Sequence, residues 1–228
     1  MSRRFRWFTV GGERFSVHAL GTCVLADEYD ERKRSGFVVD ERSRARVSGT
    51  FIEKLDLEEE IEDPFGRIMR YKRVEYRRLR FSCCGEDHAN LELEDPPRAS
   101  GAFFARIGMF LDQGIHVEPV RPDVMKWIRA LEKDVTRVQI SSISVSDAPL
   151  SASARADVII TGTGDVRRDL STFLDGKGTV AAADVTWRVR ESDDRLSCEL
   201  TRAGANVPEH WTDAQVRPLR TSLRAQFR

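Results

Sequence analysis

The chain has 228 residues, of which 37 are Lys or Arg and 37 are Asp or Glu, so its formal net charge is zero. Hydrophobic residues make up 40% of the sequence, enough to bury a core, which argues against wholesale disorder. The zero balance excludes a bulk positive charge as the force that binds nucleic acid or acidic membranes. Any such binding would have to come from local patches.

The composition also bears on the compartment. The cationic residues are 31 Arg and 6 Lys, a bias typical of a GC-rich, prokaryotic genome. The four cysteines are scattered, which predicts reduced thiols in a cytoplasmic protein. The first residues resemble a twin-arginine export signal, but Glu13 and Arg14 interrupt the apolar run that such a signal needs. No run approaches the roughly 18 consecutive apolar residues of a membrane span, so no membrane partner is expected.

The first half is predicted to be rich in strands. Residues 5–10 and 15–26 contain many β-branched and aromatic side chains, and Gly11 and Gly12 between them predict a hairpin turn. Residues 27–46 contain six acidic and six basic side chains around a short apolar run. This composition predicts a mobile loop around a three-residue strand.

A long charged hairpin is the most informative local feature. Residues 53–63 carry a net charge of −6, and residues 67–80 carry +6. Asp63, Pro64 and Gly66 lie between them with the spacing of a type I turn. The sequence therefore predicts two paired strands of opposite charge.

Two interpretations of the basic strand remain open. Basic and aromatic residues alternate along it, as in a nucleic-acid platform. A four-residue turn would instead place Glu59 opposite Arg70, so that cross-strand ion pairs neutralise most of the strand. Arg77, Arg78 and Arg80 lie beyond the acidic partners and are predicted to remain free.

The second half mixes helices and strands. Apolar residues at i, i+3, i+4 and i+7 from Val124 predict a helix with Trp127 in its core. A strand follows, in which out-of-phase apolar residues predict a bulge near 141–142. Alternating apolar residues at 185–189 and 196–200 predict a hairpin with one polar face.

A glycine turn at 162–164 joins a predicted strand at 157–161 to a helix that is capped by Asp165. This arrangement is a possible anion site because the first N–H groups of a helix point at the ligand. The dinucleotide fingerprint fails at its third glycine, so an ordinary loop is the competing interpretation. The candidate anion-binding residues are Gly162, Gly164, Arg167 and Arg168.

Both ends of the chain have an excess of positive charge. The last helix, predicted to open with a capping box of Thr212 and Gln215, carries arginines at spacings of three and four along one side. A solvated helix face is one interpretation, and contact with phosphates or an acidic partner is the other. The candidate nucleic-acid-binding residues are Arg217, Arg220, Arg224, Arg228, Arg3, Arg4 and Arg6, together with Arg78 and Arg80 of the hairpin.

No catalytic motif is present. The sequence lacks the spacings of phosphate-binding loops, zinc hydrolases, serine hydrolases and calcium loops. Cys83, Cys84 and His88 could begin a zinc site, but His18 and Cys23 would point to opposite faces of the predicted strand. No catalytic residue, metal or cofactor is therefore expected.

Four elements follow Ile115 in order. They are a Pro-bounded helix that ends at Val135, a strand at 137–140, a strand at 157–160 that leads into a polar helix, and a basic terminal helix. This order resembles that of the RexA-type phage-exclusion proteins, DNA-binding sensors of bacterial defence. The resemblance covers about half of the chain. It implies DNA binding and a role in antiviral defence, and it assigns no residue.

Together these features predict an α+β protein. An antiparallel, β-rich domain with the charged hairpin is expected at 1–115, and a mixed domain that ends in the basic helix at 116–228. The leading hypothesis is a non-enzymatic protein that binds nucleic acid, preferably DNA, through the terminal arginines. The alternative is a protein-interaction or assembly module, including a homo-oligomer, that uses the terminal helix or the hairpin edge. A small enzyme with an anion site at the glycine turn is third.

Overall fold

The structure is a computed structural model that describes residues 2–12, 15–85, 88–110, 115–149, 151, 153–174, 178–189 and 194–227, with only the backbone at 173–174. These residues form five helices and eleven antiparallel strands, so the predicted α+β class is confirmed. The strands are β1 (Ser2–Gly11), β2 (Ser35–Arg42), β3 (Arg46–Glu62), β4 (Ile68–Cys84), β5 (Leu91–Glu94), β6 (His116–Pro119), β7 (Thr136–Pro149), β8 (Arg155–Thr161), β9 (Thr179–Arg188), β10 (Arg195–Thr201) and β11 (Gly204–Pro208). The helices are α1 (Val17–Ala26), α2 (Gly101–Phe110), α3 (Val124–Asp134), α4 (Arg167–Leu174) and α5 (Asp213–Arg224), and a 3-10 turn follows at Ala225–Phe227.

The chain divides into two compact units. Unit 1 consists of Met1–Phe8 and Pro119–Arg228, and unit 2 consists of Thr9–Glu118. Strand β1 therefore contributes its first part to unit 1 and its last part to unit 2. The strand order is β1-β11-β10-β9-β7-β8 in unit 1 and β2-β3-β4-β5 in unit 2.

The core of unit 2 is an aromatic cluster. Phe37 of β2, Phe51 of β3 and Phe81 of β4 are buried on one face of the sheet. Phe103 of α2 packs on these three rings with centroid separations of 6.3, 5.8 and 5.6 Å. Tilted and edge-on contacts of this kind are the favoured geometry of aromatic pairs. They hold α2 on the sheet.

The prediction of a strand at 15–26 is wrong, because Val17–Ala26 is helix α1. Ser16 caps it, and its Oγ accepts a hydrogen bond from Ala19 N at 3.1 Å. The buried positions recur at i, i+3, i+4 and i+7, so the helical period decides over the β-propensity of the valines. These buried residues are Val17, Leu20, Gly21 and Val24.

The segment after α1 is also more ordered than predicted. It contains the eight-residue strand β2, which pairs with β3. Asp27, the C-cap of α1, accepts hydrogen bonds from Nε and Nη2 of Arg106 in α2, both at 2.6 Å. This buried bidentate pair joins the two helices of unit 2.

The charged hairpin forms, but one residue away from the predicted register. Gly66 N donates to Asp63 O at 3.0 Å, which closes the expected type I turn. Gly66 then adopts a φ of 77°, a left-handed conformation that glycine favours, and the loop gains one residue. Glu60, instead of Glu59, therefore lies opposite Arg70.

Beyond the ends of the neighbouring strands β2 and β5, the hairpin continues as a two-stranded arm. Strand β2 reaches only Glu53 of β3, and β5 pairs with β4 only from Arg80 onward. Apart from the hydrogen bond from Lys54 N to Arg34 O at 2.7 Å, residues 54–62 and 68–76 pair only with each other among the described residues. We call these two segments and their turn the arm; nine residues per strand correspond to about 30 Å.

Unit 1 is built around tryptophans. Trp7 of β1 packs edge-on against Trp127 of α3, with ring centroids 5.5 Å apart. Trp187 of β9 packs in the same way against Trp211, at 5.3 Å. Trp127 Nε1 also donates to Leu219 O of α5 at 3.1 Å, which joins the two helices.

Several predicted details of unit 1 are confirmed. Helix α3 begins at Val124, and the register of β7 shifts between Ile140 and Ser142, where the bulge was expected. Helix α5 opens with the capping box of Thr212 and Gln215. Strands β6 and β11 were not predicted; each has only four or five residues, too few for a clear alternation.

Candidate functional site

Two of the terminal arginines meet at one aromatic ring of unit 1. The Cζ atoms of Arg3 and Arg220 lie 5.4 and 5.8 Å from the centre of the Phe5 ring. Arg3 also donates to Trp211 O, and Arg220 donates to Asp213 Oδ1 at 2.7 Å. Both guanidinium groups are therefore already engaged within the unit.

The other arginines of the terminal helix differ in exposure. Arg217 is exposed on α5, and Arg224 is half-buried. Arg228 lies outside the described residues. The helix thus presents Arg217 to solvent more fully than either neighbouring arginine of the predicted stripe.

The N-terminal arginines do not all join this helix. Arg4 and Arg6 are exposed, whereas Phe5 between them is buried. Because successive side chains of a strand point to opposite faces, Arg4 and Arg6 lie on the face of β1 away from Phe5. The structure therefore distributes the predicted terminal patch over two faces of unit 1.

The hairpin arginines also differ from each other. Arg80 Nη1 lies 3.6 Å from Glu94 Oε1 of β5, so this side chain has a carboxylate neighbour that the sequence did not reveal. Arg78 is exposed and lies opposite Ile52 in the observed register. The prediction that Arg77, Arg78 and Arg80 remain free is therefore wrong for Arg80, and it is also wrong for Arg77, whose Nε lies 3.6 Å from Glu75 Oε1.

The glycine turn between β8 and α4 uses its N–H groups internally. Gly162 N donates to Ser141 O at 3.0 Å, and Val166 N donates to Ile140 O at 2.9 Å. Gly162 and Gly164 are exposed, as is Arg168 at the start of α4. Two amides of this turn are thus bonded to strand β7, and Arg167 N donates to Asp165 Oδ1 at 3.1 Å, which leaves fewer donors for an anion.

Arg167 is held by carboxylates. Its guanidinium donates to Asp165 at 2.6–3.0 Å and to Glu132 of α3. The hydrogen bonds that Arg167 donates to Asp165, although opposed by burial, raise the pKa of Arg167. Partial burial raises the pKa of Asp165, but the hydrogen bonds from Arg167 outweigh it, so that pKa lies below its ordinary value. The hydrogen bond from Arg167 to Glu132 joins α4 to α3.

A groove of about 600 Å³ lies in unit 1 between α3, α4, β7 and β9. This volume is in the usual range of small-molecule sites, about 300 to 1,000 Å³. Its floor is aliphatic and includes Ile128, Val145, Leu170 and Val180. Four arginines line it, namely Arg121, Arg129, Arg167 and Arg202.

Three of these arginines, Arg121, Arg129 and Arg202, are exposed, and their side chains have no ion pair or hydrogen bond to another described residue. The carboxylate in the lining is that of Asp123, and its Oδ1 accepts the Lys126 N–H as the N-cap of α3. The groove therefore has a positive rim above an apolar floor.

Sequence reasoning did not find this rim. Its arginines come from three segments, before α3, within α3 and in the turn between β10 and β11. No spacing rule connects residues so far apart along the chain. The available signal was that Arg129 lies on the polar side of α3, opposite the predicted core face.

The arm exposes large apolar side chains on both of its faces. In an antiparallel pair, directly opposite residues share one face, so the odd-numbered residues of the arm lie together. Ile61, Met69 and Tyr71 on that face are 44–50% exposed. We call it the apolar face; Leu55, Leu57, Glu59, Arg73 and Glu75 also lie on it, and Arg73 pairs with both carboxylates. The even-numbered face carries Ile68, Val74 and Tyr76 among Glu58, Glu60, Arg70 and Lys72.

The zero net charge is unevenly divided between the units. Unit 1 has 20 basic and 15 acidic residues, a net charge of +5, and unit 2 has 17 basic and 22 acidic residues, a net charge of −5. The positive excess thus belongs to the unit that contains both chain ends.

Comparison with known proteins gives no family assignment. No protein-family model matches the sequence, and no curated protein matches it either. Within the described residues, no group of three or more His, Cys, Asp and Glu side chains could hold a metal ion. Among the helices of those residues, none is long and apolar enough to cross a membrane.

Proposed function

We propose that the protein is an assembly module that pairs with a second copy of itself through the apolar face of the arm. The observation that carries the proposal is the exposure of Ile61, Met69 and Tyr71 on a two-stranded arm with no third strand among the described residues. An isolated two-stranded hairpin is marginally stable in water. Contiguous apolar side chains at a surface are typical of interaction sites.

The charges of the arm favour a second copy as the partner. Residues 54–62 have a net charge of −4, and residues 68–76 have a net charge of +2. A twofold axis parallel to the strands places the acidic strand of each arm over the basic strand of the other. An axis across the strands would instead oppose acidic strands. The arm is therefore self-complementary in one arrangement.

The test compares the two faces of one arm. The variant Ile61→Thr/Met69→Thr/Tyr71→Thr keeps residues compatible with a strand and removes the three large exposed apolar side chains of the apolar face. Ile68→Thr/Val74→Thr is the matched control on the opposite face. Analytical ultracentrifugation over a range of concentrations should show a dimer for the wild type and the control, and a monomer for the first variant. A monomeric wild type, or equal dissociation of both variants, would overturn the proposal.

Nucleic-acid binding by unit 1 is the second candidate function. Its net charge of +5 supports contact with a polyanion. Arg6 and Arg217, both exposed, have no ion pair with a described residue and are available for phosphates. Arg4 is exposed beside Arg6. The DNA binding and antiviral role implied by the RexA-type resemblance stay predictions.

The second candidate is tested by titrating labelled duplex DNA at several salt concentrations. Each phosphate contact contributes a slope of about −0.9 to the plot of log affinity against log salt. Arg217→Ala and Arg6→Ala should each reduce the slope by about one contact. Arg44→Ala, an exposed arginine of unit 2, is the control. No binding at low salt, or equal slopes for all variants, would contradict this function.

A further inference from the structure

The groove of unit 1 combines an aliphatic floor with arginines that have no carboxylate partner among the described residues. Guanidinium groups usually pair with carboxylates, as Arg167 does with Asp165 and Glu132. The neighbouring Arg121 and Arg202 have no such pairing within the described chain, although both line the same groove. The lining holds more guanidinium groups than carboxylates, so an anion bound in the groove would be attracted to several cations at once.

The floor supplies a second kind of recognition. Ile128 and Val145 are buried below the rim, and Leu170 and Val180 are half-buried beside them. An inorganic anion would leave this aliphatic surface in water. A ligand with an apolar body would cover it and gain about 25 cal/mol for each Å² removed from water.

Two hydroxyl side chains also line the groove. They are Ser171 of α4 and Thr179 of β9, and both are exposed. Hydroxyl groups can donate to phosphate oxygens or accept from a ligand hydroxyl.

We propose that this groove binds a phosphorylated small molecule with an apolar body, held by Arg121, Arg129 and Arg202 at the phosphate and by the aliphatic floor at the body. Guanidinium groups bind phosphate oxygens in a bidentate manner, and three of them match a ligand with several negative charges. A nucleotide and an alkyl phosphate both supply this chemistry. The site is independent of the arm, which lies in the other unit.

The test is isothermal titration calorimetry of the full chain with four probes. ATP, octyl phosphate, pyrophosphate and adenosine separate the phosphate from the body. At least one of ATP and octyl phosphate should bind at least about tenfold more tightly than both pyrophosphate and adenosine, because only they carry both parts. Tighter binding of ATP identifies a nucleotide, and tighter binding of octyl phosphate identifies an alkyl chain.

Variants assign the binding to the groove. Arg129→Ala/Arg202→Ala should weaken the tighter probe by about tenfold or more, since charge-assisted hydrogen bonds are lost. Arg195→Ala, an exposed arginine on β10 outside the groove, should leave affinity unchanged. Circular dichroism confirms that each variant is folded. The proposal is overturned if neither ATP nor octyl phosphate binds, if pyrophosphate or adenosine binds as tightly as the better of them, or if the double variant binds like Arg195→Ala.

Discussion

The pair between Asp27 and Arg106 should dominate the polar contribution to the stability of unit 2. The Asp27 residue is only 8% exposed, and both of its carboxylate oxygens accept a hydrogen bond from Arg106 at 2.6 Å. The next cation, Lys33, lies 3.8 Å away. Arg106→Met keeps the aliphatic stem of the side chain and removes its charge, so the carboxylate stays buried with Lys33 as its nearest cation.

The size of the expected loss in the free energy of unfolding follows from the burial of the pair. Removing one partner of a fully buried ion pair costs about 3 to 5 kcal/mol. The Arg106 side chain is 31% exposed, so water partly compensates, and we expect a loss of about 2 to 3 kcal/mol for Arg106→Met. Asp27→Asn should cost about 2 kcal/mol, because the amide keeps one acceptor. The double variant should lose less than the sum of the two single losses.

The assay is urea denaturation, monitored with two spectroscopic probes. All four tryptophans belong to unit 1, so tryptophan fluorescence reports that unit, whereas far-ultraviolet circular dichroism reports both. Arg70→Met is the matched control in unit 2, because Arg70 bonds Glu60 at a similar 2.7 Å but is 69% exposed. Exposed pairs contribute about 0 to 1 kcal/mol. Equal losses for Arg106→Met and Arg70→Met would refute the reasoning from burial.

Three further predictions concern backbone fit, titration and thiols. Gly204→Ala should lower the free energy of unfolding by more than about 2 kcal/mol, because the new Cβ would lie 1.9 Å from Phe5 O. A Cβ at Gly108 would have open space, so Gly108→Ala should stabilise helix α2 in the same thermal scan. Partial burial, and after it the nearby Glu199, raise the pKa of Asp184. The free energy of unfolding therefore falls as pH rises through that pKa. Asp184→Asn should melt at a higher temperature than the wild type at pH 7, and this difference should disappear below about pH 4. Burial also raises the pKa of one thiol, that of Cys198. An aromatic disulfide reagent should modify the half-buried Cys23 and Cys84 rapidly and the buried Cys83 and Cys198 slowly, and rapid reaction of all four would contradict the fold.

The hairpin shows what sequence can and cannot determine. Opposite charge and the turn residues were sufficient to predict two long paired strands. The register depended on the conformation of Gly66 alone, whose left-handed φ adds one residue to the loop. A shift of one residue changes which side chains share a face. The apolar face with Ile61 and Met69 could therefore not be predicted before the turn geometry was known.

Local patterns were informative where an element has a strong period. Helix α3 was found because its apolar residues follow the helical period over eleven positions, from Val124 to Asp134. Helix α1 has the same period, but its valines favoured the strand interpretation, and only packing decides between them. The groove rim could not be predicted, since it depends on the tertiary approach of Arg121, Arg129 and Arg202.

The division of strand β1 has a consequence for biosynthesis. Unit 2 is complete once residue 118 has left the ribosome, whereas unit 1 needs Phe5 and Trp7 from the start of the chain and Trp211 from near its end. The first residues must therefore wait for the last strand, β11, which pairs with β1 through Ser2–Phe5. The pairing of Ser2 with Pro208 can therefore form only after residue 208 has been synthesised.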